Sequence, residues 1–392
     1  MALGVYISVP FCRTKCSYCN FASDVFSRTV HHSYISRVCD SIEHASDTAE
    51  QAGCNFDRVV DTIFLGGGTP TVLDIAELER LFVTIRSTWE VQADAEITVE
   101  CAPGTITESL IETFHSCGVN RVSLGVQSFV DQEAASVGRL HNRETIIDDI
   151  CRFRKAGITN INVDLIAGLP HQTVESWNYS LEQLIGCGVP HASVYMLEVD
   201  EDSRLGRELM AGGRKYHAHF VPDEDMVADF YEEACVQLNN AGMAQYEISN
   251  FSRNGNESRH NLKYWTRQPY IGFGVDAHSM LFARHAQLDA VRFSNTDSLE
   301  NYVAGCPLNI HSVSKEAALE ETFFLGLRLN AGVDLDEVEQ KFGSVLAPDI
   351  LSVIDESVAA GLMVRTGNAI SLSPRGRLLS NEVFQRFISV QA

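Results

Sequence analysis

Apolar residues recur through the first half of the chain in short blocks separated by amphipathic stretches. Six blocks read as strands: Leu3–Val9, Val59–Leu65, Ala95–Cys101, Asn120–Val126, Thr159–Leu165 and His191–Leu197. Between them, Ile75–Ser87, Thr107–Cys117, Arg143–Ala156 and Val174–Cys187 place apolar positions at helical spacing. Gly118, Gly157 and Gly188 stand where the glycine after a helix belongs. Strand alternating with helix predicts parallel βα units. Six units are too few for a closed eight-stranded barrel. The expected fold class is therefore α/β, a partial (β/α)6 barrel over residues 1–215.

The pattern then changes. Gly212-Gly213-Arg214-Lys215 reads as a loop, and Asp223 and Gly242 bracket a helix as its N-cap and terminal glycine. A middle region, 216–294, is rich in aromatic, Gly and His residues. In the last part, 295–392, Glu316–Leu329 and Asp334–Phe342 have helical spacing. Met363–Leu372 reads as a hairpin around Gly367-Asn368, and Ser373–Ile388 as a closing helix. Helix–helix–hairpin predicts a C-terminal α+β region resembling a winged helix.

A length of 392 residues fits two or three domains, and 45% hydrophobic residues is ordinary for a chain with a real core. No run of 18 apolar residues occurs, so no membrane span is expected. The chain enters a strand at once, without a basic segment or an apolar leader, which points to the cytoplasm. The formal net charge of −22 repels nucleic acid and anionic lipid. The stretch 330–392 carries eight acidic against five basic residues, which argues against DNA as the ligand of a winged helix. Eight of the 11 cysteines are scattered singly, as free thiols in a reducing compartment would be.

The other three are grouped. Cys12, Cys16 and Cys19 form C-x3-C-x2-C directly after the first strand. Three thiolates on one loop can hold three irons of a [4Fe–4S] cube and leave the fourth open to a small molecule. Two plainer readings exist: a zinc site completed by His31 or His32, or three buried free thiols. Gly66-Gly67-Gly68-Thr69-Pro70 follows the second strand. It lacks the Gly-Lys-Ser/Thr of a P-loop, so it is either a ligand-cradling backbone or a tight turn. Glu100 ends the third strand, Gln127 follows the fourth and Asp164 lies near the end of the fifth. Polar residues at successive C-terminal strand ends are where parallel barrels keep their sites. Arg139 can face a ligand carboxylate, or else form a surface ion pair.

Taken together, Tyr6, Pro10-Phe11-Cys12, Gly66–Pro70, Gly118–Phe129, Gly138-Arg139-Leu140-His141 and Asn162–Pro170 resemble the oxygen-independent coproporphyrinogen III oxidase family of radical S-adenosylmethionine (SAM) proteins, over nearly the whole chain. The resemblance implies a [4Fe–4S] cluster on Cys12, Cys16 and Cys19. In that superfamily the open iron chelates SAM, and the reduced cluster cleaves it to a 5′-deoxyadenosyl radical. It further implies SAM contacts at Tyr6, Tyr18, Gly67, Gly68, Thr69, Glu100, Gln127, Arg139 and Asp164. The oxidases of the family carry one more cysteine two residues after the third, where this chain has Phe21. The heme chaperone branch lacks that cysteine. This chain is similar to that branch at Tyr246–Phe251, at His260-Asn261-Leu262-Lys263-Tyr264-Trp265 and at Gly272–Ser279.

In the chaperone branch the His-Asn-x-x-Tyr-Trp string is associated with heme. That implies heme as a further ligand, with His260, Asn261, Tyr264 and Trp265 at its site. Imidazole can ligate heme iron and aromatic rings can pack on a porphyrin, but such a string can equally be a hydrogen-bonded contact between regions. His217 and His219 alternate on what reads as an extended, solvent-facing segment. Both branches usually have a His two residues before the Pro of Pro-Phe-Cys, and here that residue is Ser8. The expected function is a cytoplasmic heme chaperone with a retained SAM site. Its implied partners are heme or porphyrin, a reductant such as flavodoxin or ferredoxin, and a respiratory heme-recipient protein, with no nucleic acid. The alternatives are an oxygen-independent coproporphyrinogen III oxidase, with Phe21 arguing against that activity, and a radical SAM methyltransferase on the same scaffold.

Overall fold

The structure, a computed structural model, describes residues 1–343 and 348–388. Its main feature is one long sheet. All six expected strands form, as Leu3–Val9, Val59–Gly67, Glu90–Cys101, Arg121–Gln127, Asn160–Ala167 and His191–Met196. They lie in chain order and parallel. The path does not close on itself, so the barrel is partial.

Alternation decides which way each strand faces. Leu3, Val5, Ile7 and Val9 are fully buried against the helical layer, as are Val122, Leu124 and Val126 and, on the fifth strand, Ile161, Val163 and Leu165. Every second residue therefore points to the concave side. The helices start where capping side chains stand. Asp74 and Glu77 form a capping box for Ile75–Thr88, while Thr107 and Asn142 cap Glu108–Cys117 and Arg143–Lys155. Gly118 ends the second of these in the left-handed conformation, φ 77°.

Two additions to the sheet are not visible in the βα pattern. Tyr270–Phe273 pairs parallel to the first strand, and the antiparallel strands His278–Ala283, Leu288–Ser294 and Asn309–Ser314 extend that edge. At the other edge Asn250–Ser252 pairs antiparallel to the sixth strand. Residues far apart in sequence thus flank both ends of the six-stranded core. Helix Lys315–Gly326 is held to the edge formed by His278–Ala283 and Leu288–Ser294 by ion pairs. Arg267 meets Asp289 at 2.8 Å and Glu321 at 2.9 Å, and Arg292 meets Glu321 at 2.9 Å.

The C-terminal part has its own small core, including Phe323, Leu327, Val338, Ile370 and Val383, joined by Ile248. Helices Leu335–Phe342 and Pro348–Ala359 precede the hairpin Met363–Thr366/Ala369–Leu372, to which Val333–Asp334 adds a third strand. The expected single helix over Ser373–Ile388 is instead two short ones, Pro374–Leu378 and Ser380–Gln385, broken at the non-helical Leu379. Nor is the segment around His217 extended. Residues Ala218–Phe220 form a 3-10 turn, and His217 sits at φ 62° with its Nδ1 3.1 Å from His171 Nε2.

Candidate functional site

The concave side of the sheet encloses a cavity of about 1060 Å3. That is at the upper end of the roughly 300–1,000 Å3 of small-molecule sites, room for more than one ligand. The cysteine loop, the glycine run, the strand-end polar residues and part of the His-Asn-x-x-Tyr-Trp string all line it.

The cysteine loop is fixed by its backbone. Cys12 N donates to Asp24 O at 3.0 Å, Ser17 N to Val137 O at 3.1 Å, and Leu205 N to Ser17 O at 2.8 Å. Lys15 Nζ donates to the carbonyls of Phe21 and Ser23, both at 2.6 Å. All three thiols reach the cavity. Thr69 Oγ1 donates to Cys12 Sγ at 3.7 Å and Arg139 Nη1 to Cys16 Sγ at 3.6 Å. Such donors favour thiolates. Burial pushes the Cys12 thiol up, with Thr69 opposing it and the neighbouring Cys19 and Cys16 adding to the rise. Among the described residues, no three His, Cys, Asp or Glu side chains converge as ligands of a single ion. A cube needs a wider arrangement, one thiolate at each of three corners. His31 is engaged elsewhere, stacked on Phe11 with ring centroids 3.9 Å apart.

The glycine run lies against this loop. Gly68 N donates to Val9 O at 2.9 Å and Thr69 N to Phe11 O at 2.8 Å. A Cβ on Gly68 would come within 2.8 Å of the carbonyl oxygens of Val9 and Phe11. Gly67 has φ 97°, and its N–H donates to Glu100 Oε2 at 3.2 Å. Only glycine fits both demands.

The strand ends then bring the acidic and amide groups together. Pairing sets Glu100 beside Ser123, and Gly125 beside Asp164 beside Ser193. Burial, and secondarily Asp164, pushes the Glu100 carboxyl up to about 8. Burial also raises Asp164, but hydrogen bonds from Ser193, Ser123 and Asn162 pull it back. Ser123 Oγ donates to Asp164 Oδ2 at 3.0 Å and Asn162 Nδ2 to Oδ1 at 2.7 Å. Gln127 is buried at φ 69°, an unusual conformation for a non-glycine residue and one that clusters at ligand sites. Arg139 donates to Gly125 O from its second nitrogen. A Cβ at Gly125 would meet Arg139 at 2.9 Å and Gln127 at 3.0 Å. Arg139 is thus part of the cavity rather than of a surface ion pair. Tyr6 and Tyr18 line the cavity too, and burial raises both phenols. Thr98 Oγ1 is buried there with no partner among the described residues.

The His-Asn-x-x-Tyr-Trp string forms helix Arg259–Trp265, capped by Ser258. His260 is 1% exposed. One ring nitrogen meets Thr62 Oγ1 at 2.9 Å and the other meets Tyr264 OH at 2.8 Å. Neither is free for a metal in this arrangement. Burial, helped by Lys263, lowers the imidazole to about 3, so it is neutral. Asn261 and Tyr264 line the cavity, whereas Trp265 does not; its ring lies 4.3 Å from the Arg328 guanidinium. Phe21 is 63% exposed at the cavity wall. Ser8 is buried, lines the cavity, and its carbonyl accepts from Tyr34 OH at 2.7 Å.

Several lining residues were not singled out in the sequence: Ser123, Asn162, His191, Ser193 and Tyr195. His191 links Asn162 Oδ1 at 2.6 Å to Tyr246 OH at 2.9 Å. A signal existed. Asn162/Asp164, Ser123/Gln127 and His191/Ser193 are polar residues at even spacing inside otherwise apolar parallel strands, which marks a polar inner face.

The chain matches the Radical SAM superfamily over residues 6–184 and the HemN C-terminal domain over residues 313–379. It is 33% identical to Heme chaperone HemW of Bacillus subtilis, over 98% of this chain and 99% of that one. It is 29% identical to Heme chaperone HemW of Escherichia coli, over 99% and 98%. Among solved structures it is similar to coproporphyrinogen III oxidase (HemN) from Escherichia coli, with a TM-score of 0.83 and 25% identity, covering 98% of this chain and 90% of that one.

Proposed function

The chain belongs to the radical SAM family of the heme chaperone HemW proteins, which implies a [4Fe–4S] cluster and SAM, and we propose that it is a heme-binding chaperone. One observation carries the reading: a single cavity is lined by the cysteine loop and by His260, Asn261 and Tyr264 of the chaperone-branch string. Residues 1–215 supply the cluster and SAM wall, 216–294 the second wall, and 295–392 the cover.

Cys12, Cys16 and Cys19 hold the cluster. When bound, the cluster and SAM together supply reductive radical chemistry. The chain's own groups do the holding. Gly67 and Gly68 let the backbone approach SAM, and Thr69 sits beside them. Glu100 and Asp164 receive its amino and hydroxyl donors, and Gln127 and Arg139 face its polar groups. Tyr6 and Tyr18 give apolar surface. Heme then lies against His260, Asn261 and Tyr264, with Trp265 behind them. Because both His260 nitrogens are occupied, the wall contributes shape and the Tyr264 hydroxyl rather than a ready iron ligand. His278 also lines the cavity and has an exposed ring, with Asp276 Oδ1 at 3.7 Å from its Nε2. It is the more accessible imidazole. Delivery to a respiratory protein, and reduction by flavodoxin or ferredoxin, complete the proposed cycle.

A second reading, oxidative decarboxylation of coproporphyrinogen III, draws on the likeness to the Escherichia coli oxidase. Phe21 opposes it, since an apolar ring cannot replace the oxidase cysteine. The deciding experiment reconstitutes the protein anaerobically and measures heme binding and coproporphyrinogen turnover in parallel. The expected result is a 1:1 heme complex with little turnover. Catalytic formation of protoporphyrinogen IX with no heme complex would reverse the order of the two readings. A Soret band altered by His278→Ala and not by His260→Ala would assign the iron ligand to His278.

A further inference from the structure

Arg328 follows helix Lys315–Gly326 and reaches the cavity from the C-terminal side. Its backbone is tied to the middle region, with Ile248 N donating to Arg328 O at 3.1 Å. The guanidinium stacks on Trp265, 4.3 Å from the ring. Its Nε is buried and has no hydrogen-bond partner among the described residues. The anion it feels, Glu247, accepts at Oε1 from Ser249 N at 3.0 Å and from the Asn250 amide, while its Oε2 is buried without a hydrogen-bond partner among the described residues. Arg377, from the same C-terminal module, lines the cavity as well. A guanidinium at a cavity wall with one buried N–H unpaired bears a cost that a ligand carboxylate can offset. The rigid fork of arginine matches a carboxylate.

Resting on the heme reading above, we infer that Arg328 is the carboxylate anchor of the cavity, binding a propionate of the tetrapyrrole, and that Trp265 is its positioning residue. This gives the tryptophan of the string a role although it does not line the cavity. Its ring fixes the guanidinium plane, so the string acts on the ligand through a residue 63 positions further along the chain. SAM also has a carboxylate, but Arg139 stands beside the cysteine loop for that group.

The test titrates reconstituted wild type, Arg328→Gln, Arg328→Lys and Trp265→Leu with heme, with heme dimethyl ester and with SAM. Wild type should prefer heme to the ester. Arg328→Gln should weaken heme roughly tenfold or more and leave the ester unchanged, abolishing that preference. Arg328→Lys should recover part of it, and Trp265→Leu should lose part of it. Iron content and SAM affinity near wild type would show that the variants are folded. Equal loss of heme and ester affinity, or no loss of either, overturns the inference while leaving the heme reading standing. Loss of SAM affinity alone overturns it too and gives Arg328 to the SAM carboxylate. A wild type that binds no heme removes both.

Discussion

The two walls of the cavity use the same kinds of residue in opposite ways. On the cysteine wall the loop backbone is hydrogen-bonded, and the three cysteines line the cavity together with Gly67, Gly68 and Glu100. On the wall made by the His-Asn-x-x-Tyr-Trp helix His260 has both nitrogens taken by Thr62 and Tyr264, and behind it Lys263 is buried against Asp61 at 2.8 Å. The first wall has chemistry to offer. The second is built mainly to stand still. A histidine within a motif is thus not by itself a ligand; what matters is which of its hydrogen bonds the fold has already filled.

The largest expected effect that breaks this contrast is at the thiols. Cys16→Ala should abolish stable cluster binding, because a cube held by two thiolates is not retained; iron and sulfide analysis after anaerobic reconstitution measures it. Retention of a full cluster would show that another group substitutes for Cys16. On the second wall His260→Ala should act on stability. It removes a buried ring and orphans Thr62 and Tyr264, which costs about 2–4 kcal/mol in denaturant unfolding. A variant as stable as wild type would mean that the second wall is not structural.

Asp164→Ala should come next, weakening SAM roughly tenfold while leaving iron content unchanged, since it removes a hydrogen-bonded carboxylate that lies outside the cysteine loop. Equilibrium dialysis with labelled SAM measures it. Unchanged affinity would return Asp164 to a structural role among Ser123, Asn162 and Ser193.

The smallest effect, taken over one pH unit, is a pH dependence. Glu100 has its carboxyl raised to about 8, so it is protonated at neutral pH in the ligand-free protein. Pairing with a cationic amino group requires the ionised form. SAM affinity should therefore rise with pH up to about 8, by at most about tenfold per unit, and level off above it. The same raised value makes folded-state stability fall as pH rises from about 4.5 through about 8, since the folded chain holds the proton more tightly than the unfolded one. Glu100→Gln should flatten both profiles, and an unflattened affinity profile would place the titration on another group.

Much of this was legible in the order of residues. Alternating βα segments, capping residues and terminal glycines are local signals, and all six core strands formed where the apolar blocks stand. The cysteine spacing and Gly66–Thr69 are local too, because one loop and one turn each present their groups at once. What the chain order did not reveal was pairing across distance. Tyr270–Phe273 is too short to announce itself as a parallel partner of the first strand, and only tertiary packing sets it beside Tyr6 and Ile7. The network from Asp164 through Asn162 and His191 to Tyr246 spans elements whose proximity depends on strand register. Tertiary structure alone decided whether His260 has a free nitrogen, and that Trp265 meets Arg328. Burial and hydrogen-bond partners are properties of neighbours in space, and a sequence motif fixes only the neighbours that lie close along the chain.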